Sequence, residues 1–184
     1  MATKVLVAYS SRYSSTKGIA SYIAECLRGY GNEVDVKEVD SVRNPEDYDA
    51  YVIGSAIYTF HWLKSAREFV LRNRRILIRK PVWLFSSGPL GFEAKNARGR
   101  DLRDVSGPQE IGELREAVNP RTHKVFFGAL DGSKLGFSHR LMRKMPAARE
   151  GLPEGDFRDW TEIGSWAKEI AKQLGLPLPA SPYS

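Results

Sequence analysis

With 184 residues, 42% of them hydrophobic, the chain has material for one domain with a real core and is not a wholly disordered polymer. Its single cysteine excludes an intramolecular disulfide framework and fits a reducing, cytoplasmic setting, and no apolar run reaches transmembrane length. A surplus of 28 Lys and Arg over 22 Asp and Glu gives a net charge of +6, which suits anionic partners, but the lack of a long basic run or a nucleic-acid module argues against nucleic acid.

The chain enters its first apolar run, Lys4–Tyr9 (KVLVAY), without a signal-peptide core, and the run predicts a buried strand. Helical periodicity follows from Ser15 to about Gly29, ending at Gly29-Tyr30-Gly31, where glycine takes a left-handed cap. Cys26 shares a stripe with Ile19, Ile23 and Leu27 and reads as a small buried hydrophobe. Val34-Asp35-Val36 with Val39 predicts a second strand, Tyr51–Gly54 a third, and Leu63 to about Leu77 a second helix. Pro81–Ser86 predicts a fourth strand. Pro108–Val118 predicts a third helix with Pro108 in its first turn, and Lys124–Leu130 a fifth strand. The last helix, Asp159–Leu174, carries Trp160, Ile163, Trp166, Ile170 and Leu174 on one face. Strands alternating with helices imply a three-layer α/β domain, a parallel sheet covered on both faces. One domain over residues 1–176 is expected, with an insert at 131–158 before the last helix and a flexible tail at 177–184.

Ligands of open parallel sheets bind outside the carboxyl ends of the strands. After the first strand comes SSRYSST, after the third GSAIYTFHW, and after the fourth SSGPLGF. The first loop places Ser10, Ser11, Ser14, Ser15 and Thr16 before a helix, where orphan amides and the helix dipole favour an anion such as phosphate. It contains neither the glycine-lysine pattern of a P-loop nor the glycine fingerprint of a dinucleotide site. A plain helix cap with spare serines is the simpler alternative. Arg12 and Lys17 either add charge to that site or point to solvent. Three scattered histidines and one cysteine have no metal-site spacing, so no metal is expected.

The loop from Tyr9 to Thr16 resembles the phosphate loop of flavodoxins, which wraps the 5′-phosphate of FMN; the family's T-G-N-T core stands here as Tyr13-Ser14-Ser15-Thr16. One branch of that family, the menaquinone-dependent protoporphyrinogen dehydrogenases of haem synthesis, is similar over about residues 3 to 175. The likeness rests on Ser10 and Arg12, Gly54-Ser55-Ala56-Ile57, His61, Ser65-Ala66, Glu68-Phe69-Val70, Gly128-Ala129-Leu130 and Asp159-Trp160. It implies the flavodoxin-like fold, with a five-stranded parallel sheet in the order 2-1-3-4-5, and FMN as the cofactor. Residues 10–16 would then serve the phosphate. Ser55, Ala56, Ile57, Tyr58 and Trp62 would lie along the ring, with Tyr58 and Trp62 as stacking walls. The run Ser86, Ser87, Gly88, Pro89, Leu90 and Gly91 would give its polar edge backbone donors and acceptors.

In this setting His61 either relays a proton in two-electron chemistry or is a polar rim residue; His123 and His139 look peripheral. Phe60 and Trp62 each serve the ring or plug the core. Phe137–Arg149 interleaves basic and apolar side chains, which suits a weak, salt-sensitive contact with an anionic membrane, a porphyrinogen's propionates, or a cap over the sheet edge. The resemblance implies an oxidoreductase with a quinone acceptor and a porphyrinogen-like substrate, cytoplasmic or peripheral at the inner face of the membrane. The alternative is a flavodoxin-type carrier that shuttles electrons between redox-protein partners.

Overall fold

The computed structural model describes residues 3–88, 101, 103, 107–131 and 154–175. Strand β1 (Lys4–Ser10) leads into helix α1 (Ser15–Gly29), then β2 (Glu33–Glu38) and β3 (Ala50–Tyr58). A two-residue strand β4 (His61–Trp62) precedes α2 (Lys64–Arg72), α3 (Arg74–Leu77) and β5 (Val82–Gly88). Helix α4 (Ile111–Val118), β6 (Thr122–Phe127), a ribbon of β7 (Ala129–Leu130) with β8 (Gly155–Asp156), and α5 (Trp160–Gln173) complete it.

The five long strands run parallel in the order β2-β1-β3-β5-β6, and β4 folds back antiparallel on β3. This is the expected 2-1-3-4-5 order, since β5 and β6 are the fourth and fifth strands of the parallel set. The period of two along each strand sorts the core into halves. Val5, Val7, Ala50, Val52, Trp83 and Phe85 pack with α1 and α5, and Leu6, Tyr51, Ile53 and Leu84 pack with α2 and α4. Gly54 lies between these strands because a Cβ there would run into the Phe85 ring. Cys26 is half-buried against the α1 side of the core, and burial pushes its thiol above the ordinary value.

Five boundaries differ from expectation. The second helix breaks at Asn73, whose side-chain amide donates to the Phe69 carbonyl (2.8 Å) and competes with the helical ladder. Pro108 lies in a turn before α4 rather than in its first turn, its carbonyl accepting from the Ile111 amide at 3.2 Å. The fifth strand ends at Phe127, because the Gly128 carbonyl accepts from the Phe157 amide (3.1 Å) and the chain leaves the sheet for the β7–β8 ribbon. Val39 starts a 3-10 turn instead of extending β2, and β3 runs four residues past Gly54, to Tyr58. No described helix is long and apolar enough to cross a membrane.

Candidate functional site

The carboxyl ends of β1, β3 and β5 bring the first two loops together with Ser86, Ser87 and Gly88. Of the first loop's hydroxyls, two are ties. Ser10 Oγ shares a hydrogen bond with Ser65 Oγ of α2 (2.7 Å), and Ser15 Oγ shares one with Ser87 Oγ at the end of β5 (3.2 Å). Ser15 Oγ also accepts from the Ala129 amide (2.8 Å), pinning the β7–β8 ribbon over the start of α1. Ser14 stands at the helix entrance in a left-handed conformation (φ 68°) and caps no amide with its side chain. The first turn of α1 holds no acidic residue. Thr16 is fully buried, and its hydroxyl has no partner among the described residues. Ser11 is half-buried and Lys17 exposed.

A buried hydroxyl without a partner costs about 1–3 kcal/mol, and an αL serine adds a further roughly 1 kcal/mol or more. A phosphate dianion would accept from the hydroxyl and from the first-turn amides that the Ser14 side chain leaves uncapped, so the cradle fits that group on its donor chemistry. A cavity of about 410 Å³ opens beside it, with Tyr13, Ser14 and Ser15 on one wall and Leu130, Gly155 and Arg158 on the other.

The second loop is a tight hairpin. Thr59 and Phe60 both take positive φ (47° and 64°), which turns the chain within two residues and leaves Phe60 53% exposed at the tip. Tyr58 remains at the mouth of the cradle, with the Arg12 guanidinium 5.0 Å from its ring centre and Tyr13 edge-on at 6.3 Å. Burial, reinforced by Tyr13, pushes the Tyr58 phenol up to about 12, so it stays protonated.

Trp62 departs from the expected wall. It is 4% exposed, packs in the α2 side of the core, and donates through Nε1 to Ser86 Oγ (2.8 Å). Ser55 and Ser86 are wholly buried and their hydroxyls serve internal bonds. Ser55 Oγ donates to the Ala56 carbonyl (2.9 Å) and accepts from the Leu63 amide (3.0 Å), so neither serine offers a free hydroxyl to the cradle. Ala56 is buried at the end of the β3 ladder, and Ile57 is half-buried beside Gly88, where a Cβ on the glycine would stand 3.0 Å from Ile57 Cδ1. Pro89, Leu90 and Gly91, the segment 137–149 and His139 lie outside the described residues.

His61 is exposed, and its Nδ1 lies 2.6 Å from Glu110 Oε1, while Glu110 Oε2 accepts from the Trp62 amide at 3.3 Å. The Gln109 amide donates to the Phe60 carbonyl (2.9 Å), so the turn before α4 clasps the whole hairpin. Burial alone would raise the Glu110 carboxyl. The hydrogen bonds from His61, its own backbone and Trp62 outweigh it and hold the carboxyl below the ordinary value.

Sequence reasoning missed Glu110, because 49 residues separate it from His61 and no local pattern links them. It also placed His123 at the periphery. In fact Nε2 of this half-buried histidine shares a 2.8 Å hydrogen bond with Ser86 Oγ, and burial with the nearby Arg115 charge lowers its pKa to about 4. The signal was available, since starting the strand at Thr122 puts His123 and Val125 on one face.

The sequence profile described as a flavodoxin domain matches residues 6–154. Among curated proteins, the chain is 29% identical over 181 residues to the protoporphyrinogen IX dehydrogenase [quinone] of Escherichia coli strain K12, covering 95% of this chain and 98% of that one. Among solved structures it resembles oxidised flavodoxin 2 from Bacillus cereus (TM-score 0.59, 17% identity, 92% of this chain and 99% of that chain). It also resembles a flavodoxin from the domain Archaea (TM-score 0.55, 16% identity, 94% and 99%). With its hydroxyl loop at the head of a 2-1-3-4-5 sheet, the chain belongs to the flavodoxin-domain family of FMN-binding redox proteins.

Proposed function

We propose that this chain is an FMN-dependent dehydrogenase that takes electrons from a porphyrinogen-like donor and passes them to a quinone. The observation that carries this reading is the end-to-end likeness to a dehydrogenase named for that reaction, 95% of one chain against 98% of the other. Each two-electron step removes two electrons and two protons from the donor and turns quinone into quinol with the same count.

FMN supplies the electron-accepting ring, which no side chain provides. Thr16, the first-turn amides of α1 and the Ser14–Ser15 segment bind its phosphate. Tyr58 offers a flat, uncharged wall at the mouth. His61 turns Nδ1 to the Glu110 carboxylate, which orients the ring and leaves Nε2 to hold or move a proton at the site's edge. Thr59 and Phe60 stay in their left-handed conformations because Gln109 and Glu110 hold the hairpin from the other side. A position at the inner face of a membrane, reached through the basic and apolar segment 137–149, belongs to the same proposal, since quinones reside in lipid.

The test is an absorption spectrum after FMN addition and desalting, followed by an anaerobic assay with protoporphyrinogen as donor and menadione as acceptor. A retained flavin band with porphyrin formed only when menadione is present supports the reading. A retained band without that activity points to an electron carrier, and loss of the band overturns both.

A further inference from the structure

We propose that Arg12 recognises a carboxylate on the electron donor at the exposed side of Tyr58, rather than the phosphate of the cofactor. The proposal rests on the dehydrogenase reading above and names the residue that would select an anionic donor.

Four arginines among the described residues stack on aromatic rings, and three of them already have oxygen partners. Arg103 lies over Phe127 and binds Asp101 and Glu162. Arg121 lies over Trp83 and donates to the Gln173 carbonyl, and Arg158 lies over Trp160 and binds Asp156. Arg12 alone of the four stacks, on Tyr58 at 5.0 Å, with no carboxylate or carbonyl partner among the described residues. A guanidinium held over a ring is restricted in its orientations, so its fork is partly pre-organised for a planar, bidentate anion, and carboxylate has that geometry.

The described contact of the exposed Arg12 is the Tyr58 ring, and among the described residues it makes no hydrogen bond with Ser10, Ser15 or Thr16 of the cradle. Tyr58 is a neutral phenol, so the platform itself does not repel an anion. The exposed Arg12 beside Tyr58 is the approach for a donor with acidic substituents, whose carboxylate would meet the guanidinium.

The experiment titrates FMN-loaded protein with protoporphyrin and, in the same detergent, with its dimethyl ester, following porphyrin fluorescence at low and at 0.5 M salt. Wild type is expected to prefer the diacid, and Arg12→Gln to lose about tenfold in affinity for the diacid and nothing for the ester. Arg12→Lys restores part of the preference as a point charge, and salt weakens only the diacid. FMN retention, read separately by flavin fluorescence, stays at the wild-type level in Arg12→Gln. The inference is overturned if FMN-loaded wild type binds neither porphyrin, does not separate acid from ester, or if Arg12→Gln weakens both alike. It is also overturned if Arg12→Gln loses FMN, which would return Arg12 to the phosphate. Failure of wild type to retain FMN overturns the dehydrogenase reading itself, a result distinct from all of these.

Discussion

Helices α1 and α5 lie together on one face of the sheet, Tyr22 of the first meeting Trp160 of the second at 5.1 Å, yet they begin in opposite ways. At α5 the chain completes its own helix end. Asp159 stands extended and its Oδ1 accepts from the Glu162 amide (2.9 Å), Glu162 adds a carboxylate to the first turn, and both Glu162 oxygens accept from Arg103 Nη1 at 2.9 Å. At α1 the cap position holds a left-handed serine that caps nothing, the first turn has no acid, and the Thr16 hydroxyl is buried without a partner among the described residues. Both entrances face the same physical demand, donors and positive dipole ends that want negative oxygen. One is satisfied by described residues of this chain; at the other the described residues supply no such oxygen, and the proposed FMN phosphate would bring it.

The sharpest way to break this contrast is Thr16→Val, which keeps the shape and removes the hydroxyl. FMN affinity is expected to fall by roughly ten- to a hundredfold, the worth of a hydrogen bond to a charged group. The FMN-free protein is expected to melt at the same or a higher temperature, because the change deletes a buried polar group that has no partner to lose. Isothermal titration with FMN and thermal melts of the FMN-free protein read the two effects. A variant that melts earlier but binds FMN as before would show that Thr16 is structural and that α1 is not the open end.

Next in size is a test of the satisfied kind of buried group, His123, whose Nε2 has Ser86 as partner. Its folded pKa, about 4, lies below the ordinary value of 6.5, so on acidification the unfolded chain takes up the proton first. The stability it contributes is fully present above pH 6.5 and is lost as pH falls toward about 4. Denaturant melts across this window are expected to show that loss in wild type and a flatter profile in His123→Gln. Equal slopes in the two proteins would remove His123 from the buried network.

These contrasts were unequally legible in the sequence. The sheet could be read because central parallel strands must be apolar on both faces, and KVLVAY and PVWLFS have no alternative use. The open end of α1 could be read as well, since hydroxyls clustered between a strand and a helix serve either a cap or an anion. What could not be read is which residues of one loop turn inward. Two left-handed residues at Thr59 and Phe60 send Trp62 into the core and keep Tyr58 at the mouth, and nothing local in YTFHW marks them. Glu110 and His123 acquire their roles from partners brought in by the fold, across the β3–β4 hairpin and the end of β5.

The smallest effect belongs to the closed end. Asp159→Ala removes the cap from the Glu162 amide and is expected to cost about 1 kcal/mol of stability, a shift of a few degrees in melting temperature. Glu162 keeps its bond to Arg103, so the first turn of α5 retains its carboxylate and the loss stays near that figure. FMN affinity is expected to stay unchanged, because the donors proposed to meet the phosphate belong to α1. Paired with Thr16→Val, the variant forms a crossed test: one change lowers stability without touching the ligand, the other lowers ligand affinity without lowering stability. If Asp159→Ala weakens FMN as much as it weakens the fold, the two helix starts are coupled through the Tyr22–Trp160 contact, and the division between a structural end and a binding end fails.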